Sequence, residues 1–153
     1  MNRKYLAAAA ATAVALIPAV AQTPKAEDQI KLRKAAYSLM GYTFGSLDAM
    51  ASGKRPMNKD EATRNAELLA QLATIPKGFF GEGTDKAAET RARPEIWTKR
   101  ADFDAKMDKM VQETGKLAQV ARGGDAAALK KAVADVDTSC SNCHEDFRVK
   151  RRG

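Results

Sequence analysis

The stretch CSNCHEDFR, residues 140–148, contains both cysteines and the only histidine of a chain of 153 residues. Two cysteines separated by two residues and followed directly by histidine form Cys-x-x-Cys-His, the attachment sequence for c-type haem. The spacing suits this chemistry because two thiols about one helical turn apart can add to the two vinyl groups of one porphyrin. His144 then projects beneath the ring, where its imidazole can bind the iron. The motif therefore predicts one haem c, covalently attached through Cys140 and Cys143.

Two other chemistries use closely spaced cysteines. A thiol oxidoreductase working through Cys140 and Cys143 without haem would carry the motif beside a βαβ unit, but the sequence has no alternating strand pattern. A structural zinc site needs a fourth ligand, usually Cys or His, and neither residue type remains elsewhere, although a carboxylate could substitute. A visible absorption spectrum separates these alternatives from the haem protein.

The N-terminus has the three parts of a secretory signal peptide. A short basic start is followed by the apolar run Leu6–Ile17 and by small residues up to Ala21. We expect cleavage after Ala21, which makes residues 1–21 the signal peptide and residues 22–153 a single haem domain. The alternative is a membrane anchor, but the apolar run is shorter than the roughly 20 residues that span a bilayer. Export to the periplasm agrees with covalent haem attachment, which takes place in that compartment.

The charge of the chain is moderately positive. Removing Arg3 and Lys4 with the signal leaves 24 Lys plus Arg against 19 Asp plus Glu, a formal charge of +5 in place of +7. The densest basic cluster is RVKRRG, residues 148–153. We interpret it as a solvated helix end, with a docking patch for an acidic partner as the alternative. No basic stripe with interleaved aromatic residues is present, so nucleic acid is not an expected partner.

Hydrophobic periodicity predicts four helices. Asn58 is a good N-cap, and Pro94 suits the first turn of a helix. Gly123 and Gly124 both permit the positive φ of a C-cap, and Asp125 can cap the helix that follows. The segment 75–93 is rich in glycine and charge, and it predicts a long loop with a short helical turn. The predicted helices span residues 27–51, 58–74, 94–121 and 126–150.

Four amphipathic helices joined by mostly short connections bury their apolar faces by packing against one another. We therefore predict an all-α protein, an antiparallel four-helix bundle. Helices of these lengths form rods of roughly 25 to 40 Å. Such a bundle is long enough to hold the covalent haem near one end.

The chain resembles the class II c-type cytochromes, the cytochrome c′ family. The haem motif lies about ten residues from the C-terminus, on the last of four predicted helices. Three further segments carry the resemblance, which covers essentially the whole predicted mature chain. They are RKAAYSLM (33–40), FGEGT (80–84) and ARPEIW (92–97).

The resemblance implies roles for individual residues. Cys140 and Cys143 match the thioether cysteines, and His144 matches the axial ligand of the haem iron. Arg148 matches a basic residue on the proximal side of the haem. Arg33 matches an arginine near a haem propionate, where a guanidinium pairs well with a carboxylate. Read from the sequence alone, Arg33 could equally be an exposed helix residue.

Within this resemblance, the residue at position 37 determines whether the iron has a ligand on its distal side, and here that residue is Tyr37. Low-spin members of the family have a ligating methionine at this position, whereas the cytochromes c′ proper have a non-ligating residue and five-coordinate iron. We expect Tyr37 to cap the distal pocket with its ring. Met40, three residues later on the same face, is the alternative, a second axial ligand that would give a six-coordinate, low-spin electron carrier. Phe44 and Phe79 are expected either to line the pocket or to pack in the core.

These assignments imply a one-electron carrier whose five-coordinate iron can also bind a small gas such as NO or CO. The protein is not expected to be an enzyme, because no second histidine is present to serve as a distal acid–base group in a peroxidase reaction. The sequence does not identify the redox partner. The resemblance also implies a homodimer that forms through the first two helices.

Overall fold

A computed structural model describes residues 23–150 of the chain. The predicted signal peptide, residues 1–21, lies outside the described residues. Within the described range there are five α-helices, one 3-10 helix (Pro76–Phe79) and no strand, which confirms the predicted all-α class and the short helical turn expected in the loop 75–93. The helices are α1 (Ala26–Ala51), α2 (Lys59–Ala73), α3 (Glu95–Thr98), α4 (Arg100–Gly123) and α5 (Ala126–Phe147).

The four long helices form the predicted bundle. Helix α2 packs against both α1 and α4, α4 packs against α5, and α5 closes the bundle on α1. Each long helix buries one face, because apolar residues three and four positions apart lie on the same side of a helix. The fully buried side chains at the centre come from all four of these helices and include Leu47, Leu69, Leu117 and Val136.

The helix boundaries that depend on local capping chemistry agree with the sequence. The side chain of Asn58 accepts a hydrogen bond from the backbone N–H of Glu61 at 3.0 Å. Asp125 accepts in the same way from Ala128 at 2.8 Å. Gly124 ends α4 with a φ of 76°. These ends form as predicted because each one needs only a nearby side chain or a residue without Cβ.

The predicted third helix, residues 94–121, is wrong in one respect. It breaks at Lys99, where φ is −118° and ψ is 49°, and this leaves the short α3 before α4. Lysine favours helix, so the break has a tertiary cause. The indole Nε1 of Trp97 donates to the carbonyl of Gly81 at 3.1 Å, and Ile96 is buried. Packing α3 against the loop before it therefore requires a change of direction at Lys99.

The predicted fourth helix, residues 126–150, is too long, because α5 ends at Phe147. Arg148 is extended and forms an isolated antiparallel bridge with Ala92. The backbone N–H of Arg93 donates to Phe147 O at 3.0 Å, and that of Val149 donates to Arg91 O at 2.8 Å. These bonds replace the next helical turn, and residues 91–93, called the strap below, hold the chain that leaves α5.

We predict opposite effects for alanine at two adjacent glycines. Gly124→Ala should lower the free energy of unfolding by roughly 1–2 kcal/mol, because a residue with Cβ is strained at positive φ. Its Cβ would also lie 2.8 Å from Cδ of Lys59, a flexible side chain that can move. Gly123→Ala is the matched control. A Cβ there meets nothing within 4 Å, so the change should be neutral or stabilising by up to about 1 kcal/mol.

Urea unfolding followed by circular dichroism measures both variants. Equal stability of the Gly124→Ala and Gly123→Ala proteins would contradict the assigned role of Gly124.

Candidate haem site

Both thiols lie on one face of α5. Cys140 and Cys143 are three residues apart in the last two turns of the helix, half-buried, and packed against the hydrophobic core. Neither cysteine is in a disulfide. His144 follows directly, and its ring is largely exposed at the side of the helix. One helical segment thus presents the two thiols and the imidazole together.

The environment of Cys140 and Cys143 disfavours the thiolate form, which a thiol oxidoreductase needs. Burial raises the pKa of Cys140, and burial also raises the pKa of Cys143 to about 11, although the nearby ammonium of Lys106 opposes the second shift. At pH 7 such a thiol is ionised in only about one molecule in ten thousand. Dithiol oxidoreductases depend on thiols whose pKa is lowered, so the site does not favour that alternative.

His144 is suited to bind a metal. Partial desolvation, followed by the guanidinium groups of Arg148 and Arg91, lowers the pKa of His144 below its ordinary value. At neutral pH the imidazole is therefore neutral, which is the form that ligates iron. Nη1 of Arg148 lies 3.4 Å from Nδ1 and 3.5 Å from Nε2 of His144. The strap places Arg148 there by ending the helix at Phe147.

Arg33 on α1 is buried, at 2% exposure, so the alternative of an exposed helix residue is wrong. Its guanidinium donates to Phe79 O at 3.1 Å, to Thr84 O at 2.8 Å and to Thr90 Oγ1 at 2.8 Å. It also lies over the ring of Phe80, 4.5 Å from the centroid. Arg33 therefore ties the loop between α2 and α3 to the first helix.

All these partners of Arg33 are neutral, and residues 23–150 supply no carboxylate to it. A buried charge is normally paired with a charge of opposite sign. A propionate, which is a carboxylate, would satisfy this requirement.

Tyr37 lies one turn after Arg33 and is half-buried. Its hydroxyl donates to Sδ of Met107 on α4, with the two atoms 3.6 Å apart. Burial and then Cys143 raise the pKa of Tyr37, whereas the charges of Arg33 and Arg148 lower it. The phenol is thus neutral at physiological pH. The structure brings Tyr37 within electrostatic range of both cysteines and both arginines, although these residues come from the two ends of the chain.

The remaining predicted pocket residues have different surroundings. Met40 is 6% exposed and belongs to the hydrophobic core. Phe44 is half-buried and packs against that core. Phe79 is half-buried too, and it contributes its carbonyl to Arg33.

Sequence reasoning missed four residues around the site. Met107 lies on the buried face of α4, and an apolar pattern of that kind indicates core packing and not a hydrogen bond from Tyr37. Thr84 and Thr90 lie in a loop without periodicity, so no sequence signal connects them with Arg33. Lys106 is one of many lysines, and only the packing of α4 on α5 brings it to the haem motif.

The donor set fits a haem c and does not fit zinc. The site has two reduced thiols, a neutral imidazole and a buried guanidinium that lacks a carboxylate. Among the described residues, one buried side-chain oxygen or nitrogen has no hydrogen-bond partner, and it is Oγ of Ser139, next to Cys140. Across residues 23–150 no three His, Cys, Asp or Glu side chains are grouped to hold a metal ion.

The fold and the site define a class of protein, a c-type haem protein built on a four-helix bundle. The chain belongs to the cytochrome c′ family, because the family model Cytochrome C' matches residues 28–148. Proteins of this family bind one covalent haem c, and their general role is that of haem electron carriers. No helix within residues 23–150 has the length and hydropathy needed to cross a bilayer.

Individual relatives agree along nearly their whole length. Cytochrome c' from Rubrivivax gelatinosus is 37% identical over 129 residues, which cover 84% of this chain and 100% of the relative. Its crystal structure matches with a TM-score of 0.81. A nitric oxide complex of a variant of cytochrome c prime from Alcaligenes xylosoxidans is 35% identical and matches with a TM-score of 0.78, covering 85% of this chain and all of that one.

We predict that Arg33→Met lowers the free energy of unfolding by about 3 kcal/mol, because it leaves two buried carbonyls without a charged donor. Thr90→Val is the partial control: it removes one of the three hydrogen bonds of Arg33 and the bond from the backbone N–H of Ala92, and it should cost about 1–2 kcal/mol. Denaturant unfolding measures both. If Arg33→Met were as stable as the wild type, the guanidinium would not be what holds the loop to α1.

Proposed function

We propose that the protein is a periplasmic one-electron carrier whose haem iron has His144 as its only protein ligand and whose distal face binds NO or CO. Residues 1–21 are the signal peptide and residues 22–153 the haem domain. Cys140 and Cys143 hold the haem by thioether bonds. When bound, the haem supplies the Fe(III)/Fe(II) couple and an open coordination position.

The state of Tyr37 carries this proposal. A phenol binds iron as tyrosinate, and burial here raises the pKa of Tyr37 and keeps the hydroxyl protonated. Its hydroxyl donates to Sδ of Met107, and this hydrogen bond supports the proposal that the ring caps the distal face. The position that would supply a sixth ligand in low-spin relatives is therefore taken by a side chain that does not ligate.

The remaining residues have binding and orienting roles. Arg33 offers its buried charge to a propionate, and Arg148 lies beside the imidazole of His144 on the proximal side. Met40 would have to leave the hydrophobic core to reach the iron, which makes the six-coordinate alternative costly. The chain has a single histidine, so no second imidazole supplies acid–base catalysis, and we assign a carrier role and no enzymatic one.

Solved relatives support binding of a gas. The cytochrome c prime of Alcaligenes xylosoxidans is represented by nitric oxide complexes at 34–35% identity to this chain. The shared fold, with TM-scores of 0.77–0.78 to these complexes, supports NO as a ligand of this chain. CO, also a small uncharged diatomic, would occupy the same distal space.

We predict that Tyr37→Ala speeds CO association with the reduced protein, because it removes the ring that caps the distal side. Tyr37→Phe is the matched control. It keeps the ring and loses only the hydroxyl bond to Met107, so its rate should stay nearer to that of the wild type. Stopped-flow mixing measures both rates in protein whose mass shows one attached haem. An unchanged rate in Tyr37→Ala, or a low-spin six-coordinate resting spectrum, would reject the open distal face.

We also propose that a second copy of the chain is a partner, through the outer faces of α1 and α2. Leu32, Leu39 and Tyr42 are 43%, 54% and 79% exposed and follow one another on the same side of α1. The surface of α1 is also open at Gly41 and Gly45, because a Cβ added at either glycine would meet nothing within 4 Å. Tyr42 and its neighbours line an open groove of about 500 Å³ between the two helices. Two such faces would cover each other's apolar side chains.

Leu39→Lys should weaken self-association, because it places a charge at the centre of the proposed interface. Val149→Lys is the control, an equally exposed apolar residue beyond the end of α5. Sedimentation equilibrium measures the monomer–dimer constant of each variant. A wild-type protein that stays monomeric at all accessible concentrations would dismiss the homodimer.

A further inference from the structure

Besides the strap, which contacts the end of α5 through Arg93, a lysine of α4 holds the last turns of this helix. Lys106 on α4 donates from its Nζ to the carbonyl of Asn142 at 2.8 Å and to Oδ2 of Asp146 at 2.6 Å. Its side chain is 32% exposed, so the hydrogen bonds are only partly open to water. Hydrogen bonds from a charged donor are the stronger ones. Lys106 therefore joins α4 to the haem motif at two points.

The two contact points lie on either side of the axial ligand. Asn142 stands between the two cysteines and two residues before His144, and Asp146 stands two residues after it. The adjacent Phe147 packs edge-on against Phe103 of α4, with ring centroids 5.4 Å apart. The helical turn that carries the imidazole is thus fixed to α4 by two polar contacts and one aromatic contact.

His144 itself has little to orient it. Its ring is largely exposed, and its nearest polar contact is with Arg148 at 3.4 Å, a length that indicates a weak interaction. The direction of the imidazole therefore depends mainly on the backbone of its own helical turn. Lys106 also lies close enough to Cys143 for its charge to act on that thiol, so the same charge acts on a haem attached there.

We propose that Lys106 is a positioning residue for His144, which fixes the axial imidazole through Asn142 and Asp146 and adds a positive charge that favours the reduced iron. This inference rests on the proposed function, because it needs the haem and His144 as its ligand. The two parts of the role are separable. The hydrogen bond to Asn142 sets geometry, whereas the two opposite charges of the Lys106–Asp146 pair act on the reduction potential in opposite directions, the positive one raising it and the negative one lowering it.

The experiment uses the haem-bearing protein and four variants. Lys106→Met removes both contacts and the charge, and Lys106→Arg keeps the charge and a donor. Asp146→Asn removes the negative charge and leaves the bond from Lys106 to Asn142. Lys109→Met is the control on the same helix, because Lys109 pairs with Glu113 of α4 itself, at 2.7 Å. Electron paramagnetic resonance of the ferric protein reports the ligand field at iron, and spectroelectrochemistry gives the midpoint potential.

We expect Lys106→Met to change the ferric resonance spectrum and lower the potential, and Lys106→Arg to restore the wild-type spectrum. Asp146→Asn should raise the potential while its spectrum stays unchanged. Amide hydrogen exchange should increase at residues 143–147 in Lys106→Met and not in Lys109→Met.

A Lys106→Met protein with the wild-type spectrum and exchange rates overturns the positioning role. Shifts of the same sign in Lys106→Met and Asp146→Asn overturn the charge effect. A wild-type protein without covalently attached haem is a different outcome, because it overturns the proposed function and not only the role of Lys106.

Discussion

The last turns of α5 carry the thiols of Cys140 and Cys143 and the imidazole of His144, so this part of the helix has to be held in a fixed position. The haem motif supplies the chemistry of these turns, but three residues cannot fix their own direction in space. The rest of the fold does so. Helix α4 contributes Lys106 and Phe103, and the strap pairs with the chain directly after Phe147. A helix end is otherwise the part of a helix most prone to fray, because its last carbonyls lack partners.

The buried guanidinium of Arg33 provides a second constraint, from α1. It orders the loop between α2 and α3 by bonding to Phe79, Thr84 and Thr90. The backbone N–H of Ala92 in turn donates to Oγ1 of Thr90 at 3.1 Å, which connects the strap to Arg33. The first helix and the end of the last one are therefore linked through a single ordered loop. A buried cation can be retained in such a place because it has hydrogen-bond acceptors and aromatic faces around it.

Much of this arrangement could be predicted from the sequence, and the reasons are physical. Amphipathic periodicity and the caps at Asn58, Gly124 and Asp125 are local, so four helices and most of their ends followed from the residues alone. The family resemblance directed attention to Arg33, Tyr37 and Arg148, and in the structure Tyr37 interacts electrostatically with both arginines and with both cysteines. The break at Lys99 and the early end of α5 could not be predicted, because lysine and Arg148 both favour helix and only contacts with distant segments overrule that preference.

The sequence by itself determined the class of protein, the cofactor chemistry of residues 140–144 and the number of long helices. These properties depend on spacing along the chain, which is fixed before folding. The tertiary structure decided that Arg33 is buried, that the hydroxyl of Tyr37 bonds to Met107, and that Lys106 bridges the residues on both sides of His144. Such contacts join residues 36 to 70 positions apart, and only the packing of whole helices sets which side chains meet.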